Sequence, residues 1–280
     1  MQLTVPRRRT VLPGLGLTLG FALTYLSLVV LIPLAALVVR ALGIPFSELV
    51  DTIASARVGR ALLLSFGAAA IAALINLAIG PVVAWVLVRY RFPGRRFLDA
   101  VVDLPFALPT AVAGIALASL FDMRGWLGAL LEPLGIQVAY TPAGIIVALV
   151  FIGLPFVVRT VQPVIEEVDR EVEEAAATLG AGRVQTVGRV ILPTLVPAAL
   201  TGFVLALARG IGEYGSVIFI AGNIPYVSEI APLLIYIRLE EFNYPAATAI
   251  GAIMLVLAFV VLLAINLIQA WSRKRFGHDG

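Results

Sequence analysis

Glu174-Ala175-Ala176, Gly180 and Val190-Ile191-Leu192-Pro193 stand in a charged interval between two long apolar runs, Ala143 to Val161 and Leu195 to Ala221. This interval decides the fold, because its charges belong in water while flanks of that length and apolarity belong in lipid. Across residues 162–193, Val172, Ala175, Ala176 and Leu179 recur at i, i+3, i+4 and i+7, one stripe of an amphipathic helix with Glu171 and Glu174 beside it. Gly180 and Gly182 are expected to end that helix, since glycine takes the left-handed conformation without steric cost. Val184, Val187 and Ile191 continue the spacing into a second short helix, and Pro193 with Pro197 is expected to mark the return of the chain to the membrane. Two short helices meeting at glycine would form a lever attached to two spans.

Outward from that interval, composition gives the class. A 280-residue chain that is 61% hydrophobic and 13% charged has too little charge to cover a soluble globule of its size. Runs long enough to cross about 30 Å of hydrocarbon need roughly 20 residues. They occur at about Leu15 to Val39, Ala61 to Val88, Val101 to Phe121, Ala143 to Val161, Leu195 to Ala221 and Ala246 to Trp271. Helix-length runs, rather than short alternating ones, predict an all-α integral membrane protein of six transmembrane helices. Arg7 to Arg9 ahead of an apolar run also describes a secretory leader. The run from Leu15 exceeds the roughly 7–15 residues of a cleaved apolar segment, so it is expected to be retained. No internal repeat or soluble domain interrupts the chain, which reads as one membrane unit over residues 1–280 with its core at about 61–271.

Orientation follows from the basic residues. One set of loops carries Arg7, Arg8, Arg9, Arg89, Arg91, Arg95, Arg96, Arg159, Arg170, Arg183, Arg189, Arg273, Lys274 and Arg275. The opposite set carries only Arg40, Arg57, Arg60, Arg124 and Arg238. Basic residues are retained on the cytoplasmic side, so both termini and the 162–193 loop are expected there, in a multi-pass protein of the bacterial inner membrane. Because the positive charge is spread along membrane edges, it reads as topology and contact with anionic lipid rather than nucleic-acid binding. Trp85, Trp126 and Trp271 are expected to anchor at the membrane surface.

What is missing excludes most chemistry. The chain has no Cys, its only His is His278 and its only Lys is Lys274, both near the C-terminus. Thiol chemistry, clustered metal ligands and a His-based nucleophile therefore lack parts, and a phosphate-binding loop lacks its lysine. The chain is expected to be no enzyme and to hold no metal or cofactor of its own.

The charged interval resembles the signature of bacterial ABC importer permeases: Glu-Ala-Ala, three residues, Gly, nine residues, then Ile-x-Leu-Pro, with Val190 in place of the Ile. The resemblance implies a type I ABC importer fold and a groove on a separate ATPase subunit that receives Glu174, Ala175, Ala176, Gly180, Leu192 and Pro193. It also implies two ATPase chains that bind ATP and Mg, a second permease chain and a periplasmic binding protein. Asp103-Leu104-Pro105-Phe106-Ala107-Leu108-Pro109-Thr110 and Arg209-Gly210-Ile211-Gly212-Glu213-Tyr214-Gly215-Ser216 look like the T-type permeases of sulfate/thiosulfate importers, which implies a heterodimer with a W-type chain. The molybdate group tends to carry Phe and Ala where Tyr214 and Ser216 stand, so sulfate is favoured over molybdate or tungstate. A channel or secondary transporter working without an ATPase is the alternative of another class, and it leaves the charged interval unexplained.

Arg209 and Glu213 invite a reading of their own. Counted from Leu195 at about 1.5 Å per residue, they fall roughly 21 Å and 27 Å into the membrane on one helix. Charges at that depth must pair or face water, and a spacing of four lets these two neutralise each other. They are expected either to line the translocation path or its outer gate, together with Thr110 and Ser216, or only to hold helices together. The hydroxyls of Thr110, Ser119, Thr201 and Ser216 are expected to bond between helices, or to an anion where they face a cavity. Gly210, Gly212 and Gly215 are expected to admit a neighbouring helix.

Overall fold

The computed structural model describes residues 15–276; Arg7 to Arg9 and His278 lie outside them. The helices, in chain order, are α1 (Leu15–Leu26), α2 (Ile32–Leu42), α3 (Phe46–Ala54), α4 (Ala56–Arg89), α5 (Arg95–Ala107), α6 (Thr110–Phe121) and α7 (Trp126–Leu131). They continue as α8 (Pro142–Glu167), α9 (Arg170–Thr178), α10 (Arg183–Thr186), α11 (Leu192–Ile211), α12 (Val217–Ile220), α13 (Ala231–Glu240) and α14 (Tyr244–Phe276). Among the described residues, six helical stretches are long and apolar enough to cross a membrane: Leu15–Leu42, Ala56–Arg89, Thr110–Leu134, Pro142–Glu167, Arg183–Ile211 and Tyr244–Leu267.

Lipid tails are as apolar as leucine, so helices in a membrane associate by close approach rather than by escaping water. The central bundle of α4, α8 and α11 is built that way. A side chain at Gly80 would strike Val157, one at Gly153 would meet the Asn76 amide, and one at Gly202 would reach the Val157 backbone. Ala68, Ala69, Ala72 and Ala73 of α4 are buried in the same seam. Asn76 is fully buried there, donating from Nδ2 to the Val150 carbonyl at 3.1 Å. The first span lies apart, with no residue of α1 or α2 buried, and packs through α2 onto α14.

Two spans differ from the expectation. The third was expected at about Val101 to Phe121, but the chain breaks at Leu108-Pro109, where both residues are extended, and α5 is a separate helix. Proline disfavours the helical region at its predecessor, and here Leu108 is extended, which gives the break its cause. The fifth was expected to reach Ala221 and ends at Ile211 instead. Its other end begins at Arg183, because the expected second short helix is continuous with the span.

Continuity past Pro193 relies on a wider turn. Val187–Ile191 is π-helical, and the N–H of Leu192 reaches back to the Val187 carbonyl. Ser27–Leu31 ahead of Pro33 repeats the arrangement, with Ile32 bonded to Ser27. Proline lacks an N–H and its ring presses on the carbonyl four residues earlier; the extra residue relieves that crowding. Pro193 therefore sits inside a helix that is continuous from Arg183 to Ile211.

Candidate functional site

The charged interval opens with a helix that carries its own stop signal. Glu171 and Glu173 lie in the first turn of α9, where acidic groups complement the helix dipole. At the other end the N–H of Gly180 bonds to Ala177 O and that of Ala181 to Ala176 O, each at 3.0 Å. This paired closure needs a left-handed residue, and Gly180 supplies it at φ +83°. Gly182 is extended at φ −71°; it starts the next helix instead of ending this one, and its N–H donates to Gln185 Oε1.

Most of the apolar stripe of this segment has no partner within the chain; Ile191 at its end is the exception and is buried in the core of the bundle. Val172 is 44% exposed, Leu179 88%, Val184 86% and Leu192 50%. Glu174 and Ala175 are exposed and Ala176 is half-buried. Arg89 at the end of α4 fixes the root of the segment: its Nη2 donates to the Val168 carbonyl at 2.7 Å and lies 3.1 Å from Glu173. Its guanidinium also stacks 5.3 Å from the centre of the Trp85 ring. Trp85, Arg89, Tyr90, Glu173 and Glu174 line a cleft of about 330 Å³ at this junction. The acidic neighbour held by Arg89 is Glu173, which leaves Glu174 free to face outward.

At the far end of α11 the four expected path residues come together. Arg209 pairs with Glu213 as their spacing implied, but Glu213 lies beyond the helix and not on it. The Glu213 carboxylate accepts the Ser216 N–H at 3.0 Å and the Ser216 hydroxyl at 2.9 Å, so it organises a turn of its own. Thr110 packs against Gly215, and Gly114 of α6 bears on the Ser216 backbone. Gly210 approaches Ala69, whereas Gly212 meets nothing. Glu213 and Ser216 are buried, while the Arg209 side chain stays 37% exposed. Ser119 and Thr201 bond to carbonyls of their own helices, Ile115 and Pro197, and not between helices as expected.

Three polar constellations were not foreseen. Arg159, expected in a loop, lies within α8 and binds Asp99 and Asp103 of α5. Arg57, also expected in a loop, is in α4 and forms a two-pronged pair with Glu229 at 2.8 and 2.6 Å. Buried Asn76 is the third. Their partners are separated by 56 to 172 residues, so no local spacing announces them. Arg159 and Asn76, polar residues within apolar runs, were the available signal; Arg57 stands just ahead of one.

Comparison with known proteins agrees with this arrangement. The family described as "Binding-protein-dependent transport system inner membrane component" matches residues 76–278. The sulfate transport system permease protein CysT of Salmonella typhimurium is 48% identical over 271 residues, covering 96% of this chain and 98% of that one. The protein of the same name from Synechocystis is 48% identical over 255 residues, covering 91% and 89%. Among solved structures, a bacterial ABC transporter involved in import of the acidic polysaccharide alginate superposes with a TM-score of 0.76 at 18% identity, covering 94% and 96%. The MetNI methionine ABC transporter gives 0.57 at 19% identity, covering 76% and 95%. The chain belongs to the family of binding-protein-dependent transport system inner membrane components and has the fold of an ABC importer permease. It is a multi-pass inner membrane subunit and not an enzyme; ATP hydrolysis belongs to a separate subunit of such systems.

Proposed function

We propose that this family member is the T-type permease of a sulfate/thiosulfate importer, paired with a different W-type permease chain, two ATPase chains and a periplasmic binding protein. The observation that carries the reading is the docking segment, which leaves Val172, Leu179 and Val184 of its apolar stripe exposed between two spans while its root is pinned by Arg89. Glu174 sets register against a basic residue of the ATPase by a charge-assisted hydrogen bond, and Ala175 and Ala176 permit close approach. Gly180 shapes the end of the segment, and Leu192 with Pro193 joins it to α11. The partner ATPase holds ATP and Mg. Both termini and the docking segment face the cytoplasm, in keeping with the distribution of arginine.

The high identity to sulfate permeases over nearly the whole chain supports sulfate as the cargo. Glu213 is committed to the turn after α11, and Arg209, half-open and balanced by that carboxylate, offers an oxyanion attraction without a trap. Thr110 and Ser216 shape the same gate. Closure of the ATPases then moves the spans as rigid bodies between inward and outward access. Uptake of radiolabelled sulfate, thiosulfate and molybdate in a strain lacking this chain, before and after complementation, tests the reading. Restored sulfate uptake is expected; restoration of molybdate uptake alone would reassign the cargo.

A further inference from the structure

Every N–H donor of Arg159 is in use. Nε and Nη2 donate to the two carboxylate oxygens of Asp103 at 2.7 and 2.6 Å. Nη1 donates to Asp99 Oδ1 at 2.7 Å and to Gln162 Oε1 at 2.5 Å, and Nη2 donates again to the Asp99 carbonyl at 2.8 Å. A guanidinium has five such donors, so none is left for a transported anion. This cation inside a span serves its neighbours instead.

Those neighbours need it. Val102 is the single buried residue of α5, and Phe97, Leu98, Leu104 and Phe106 are exposed. Beyond the arginine contacts, an edge-on meeting of Phe106 with Phe156, ring centres 5.1 Å apart, holds α5 to α8. Asp99 and Asp103 stand four apart on one helix, where like charges repel unless a cation lies between them. Apart from Val102 and that ring contact, the seating of α5 on α8 rests on the Arg159 side chain.

The two helices lead to the two ends of the machine. α8 passes through Val168 and Asp169 into docking helix α9. α5 passes through Leu108 and Pro109 into α6, whose Gly114 bears on the turn at Ser216. We propose that Arg159 is a positioning residue of the transport cycle, locking α5 to α8 so that displacement of the docking segment reaches the Glu213–Ser216 turn through α5 and α6. The coupling runs through covalently continuous elements and one guanidinium clamp.

The inference rests on the import reading, and the test separates the two. The chain has no cysteine, so Leu98→Cys on α5 and Glu167→Cys at the end of α8, both exposed positions, accept a pair of spin labels. The full transporter is purified with wild-type Arg159 and with Arg159→Gln, and label distance, ATP hydrolysis and sulfate uptake are measured with and without ATP. Absence of uptake by the labelled wild type would count against the import reading. Given wild-type uptake, the clamp predicts one narrow distance that ATP leaves unchanged. Arg159→Gln then broadens it and lowers uptake per ATP hydrolysed by about tenfold. An unchanged narrow distance, or wild-type uptake per ATP, in Arg159→Gln overturns the proposal. Should that variant fail to assemble, the Asp99→Asn/Asp103→Asn double variant is measured in the same way, and the same two outcomes decide.

Discussion

One carboxylate oxygen of Glu213 accepts both the backbone N–H and the hydroxyl of Ser216, at 3.0 and 2.9 Å. The other oxygen pairs with Arg209, so a single buried acid both ends span five and neutralises its last charge. A carboxylate that satisfies a backbone donor while balancing a cation is costly to remove, because both partners stay behind.

Glu213→Ala leaves the buried Ser216 N–H unpaired and the part-exposed Arg209 unbalanced, and is expected to destabilise the protein by about 2–3 kcal/mol. Ser216→Ala removes only the hydroxyl and is expected to cost about 1 kcal/mol. Thermal unfolding of both variants in one detergent gives the comparison. Equal losses would mean that Glu213 is not the organising group.

Two glycines near that turn are expected to behave oppositely. A Cβ at Gly114 would drive into the Ser216 backbone, where nothing flexible can yield, so Gly114→Ala should separate α6 from the turn and reduce uptake. A Cβ at Gly212 meets nothing within 4 Å, and its φ of −92° suits any residue. Gly212→Ala is expected to stay within about 0.5 kcal/mol of wild type. Uptake and unfolding measured side by side check the pair.

Arg89 holds the root of the docking segment through a backbone carbonyl as well as through Glu173. Arg89→Ala should therefore loosen residues 168–182 more than Glu173→Ala, read as faster amide hydrogen exchange there. Equal exchange in the two variants would assign the anchoring to the ion pair alone.

A cysteine-free chain permits a direct test of sidedness. Leu179→Cys, on the docking segment, and Trp126→Cys, at the start of α7, replace residues 88% and 79% exposed. An impermeant maleimide is expected to label the first only from the cytoplasmic face and the second only from outside. Labelling of both from one face would break the topology.

Much of this was legible because membrane spans are written in length and apolarity. The six runs, the α9 stripe and the Arg209–Glu213 spacing all follow from local periodicity. The bounds failed where a local device outweighed the apolar run. Pro109 cut the third span, and Glu213 turned the chain after Ile211 although apolar residues continue to Ala221. Orientation counting places Arg57 and Arg159 among the loop charges; in the fold Asp99 and Asp103 of α5 hold Arg159 within α8, and Glu229, in the loop before α13, holds Arg57 in the first turn of α4. Such partnerships appear only once the chain has folded.

The most direct test places the full transporter in proteoliposomes and measures radiolabelled sulfate uptake beside ATP hydrolysis, for wild type and Glu174→Lys. Wild-type uptake should require both ATP and the ATPase chains, and the variant should insert normally while its uptake falls far more than hydrolysis by the complex. Sulfate entry without the ATPase chains, or wild-type uptake by Glu174→Lys, would contradict the account.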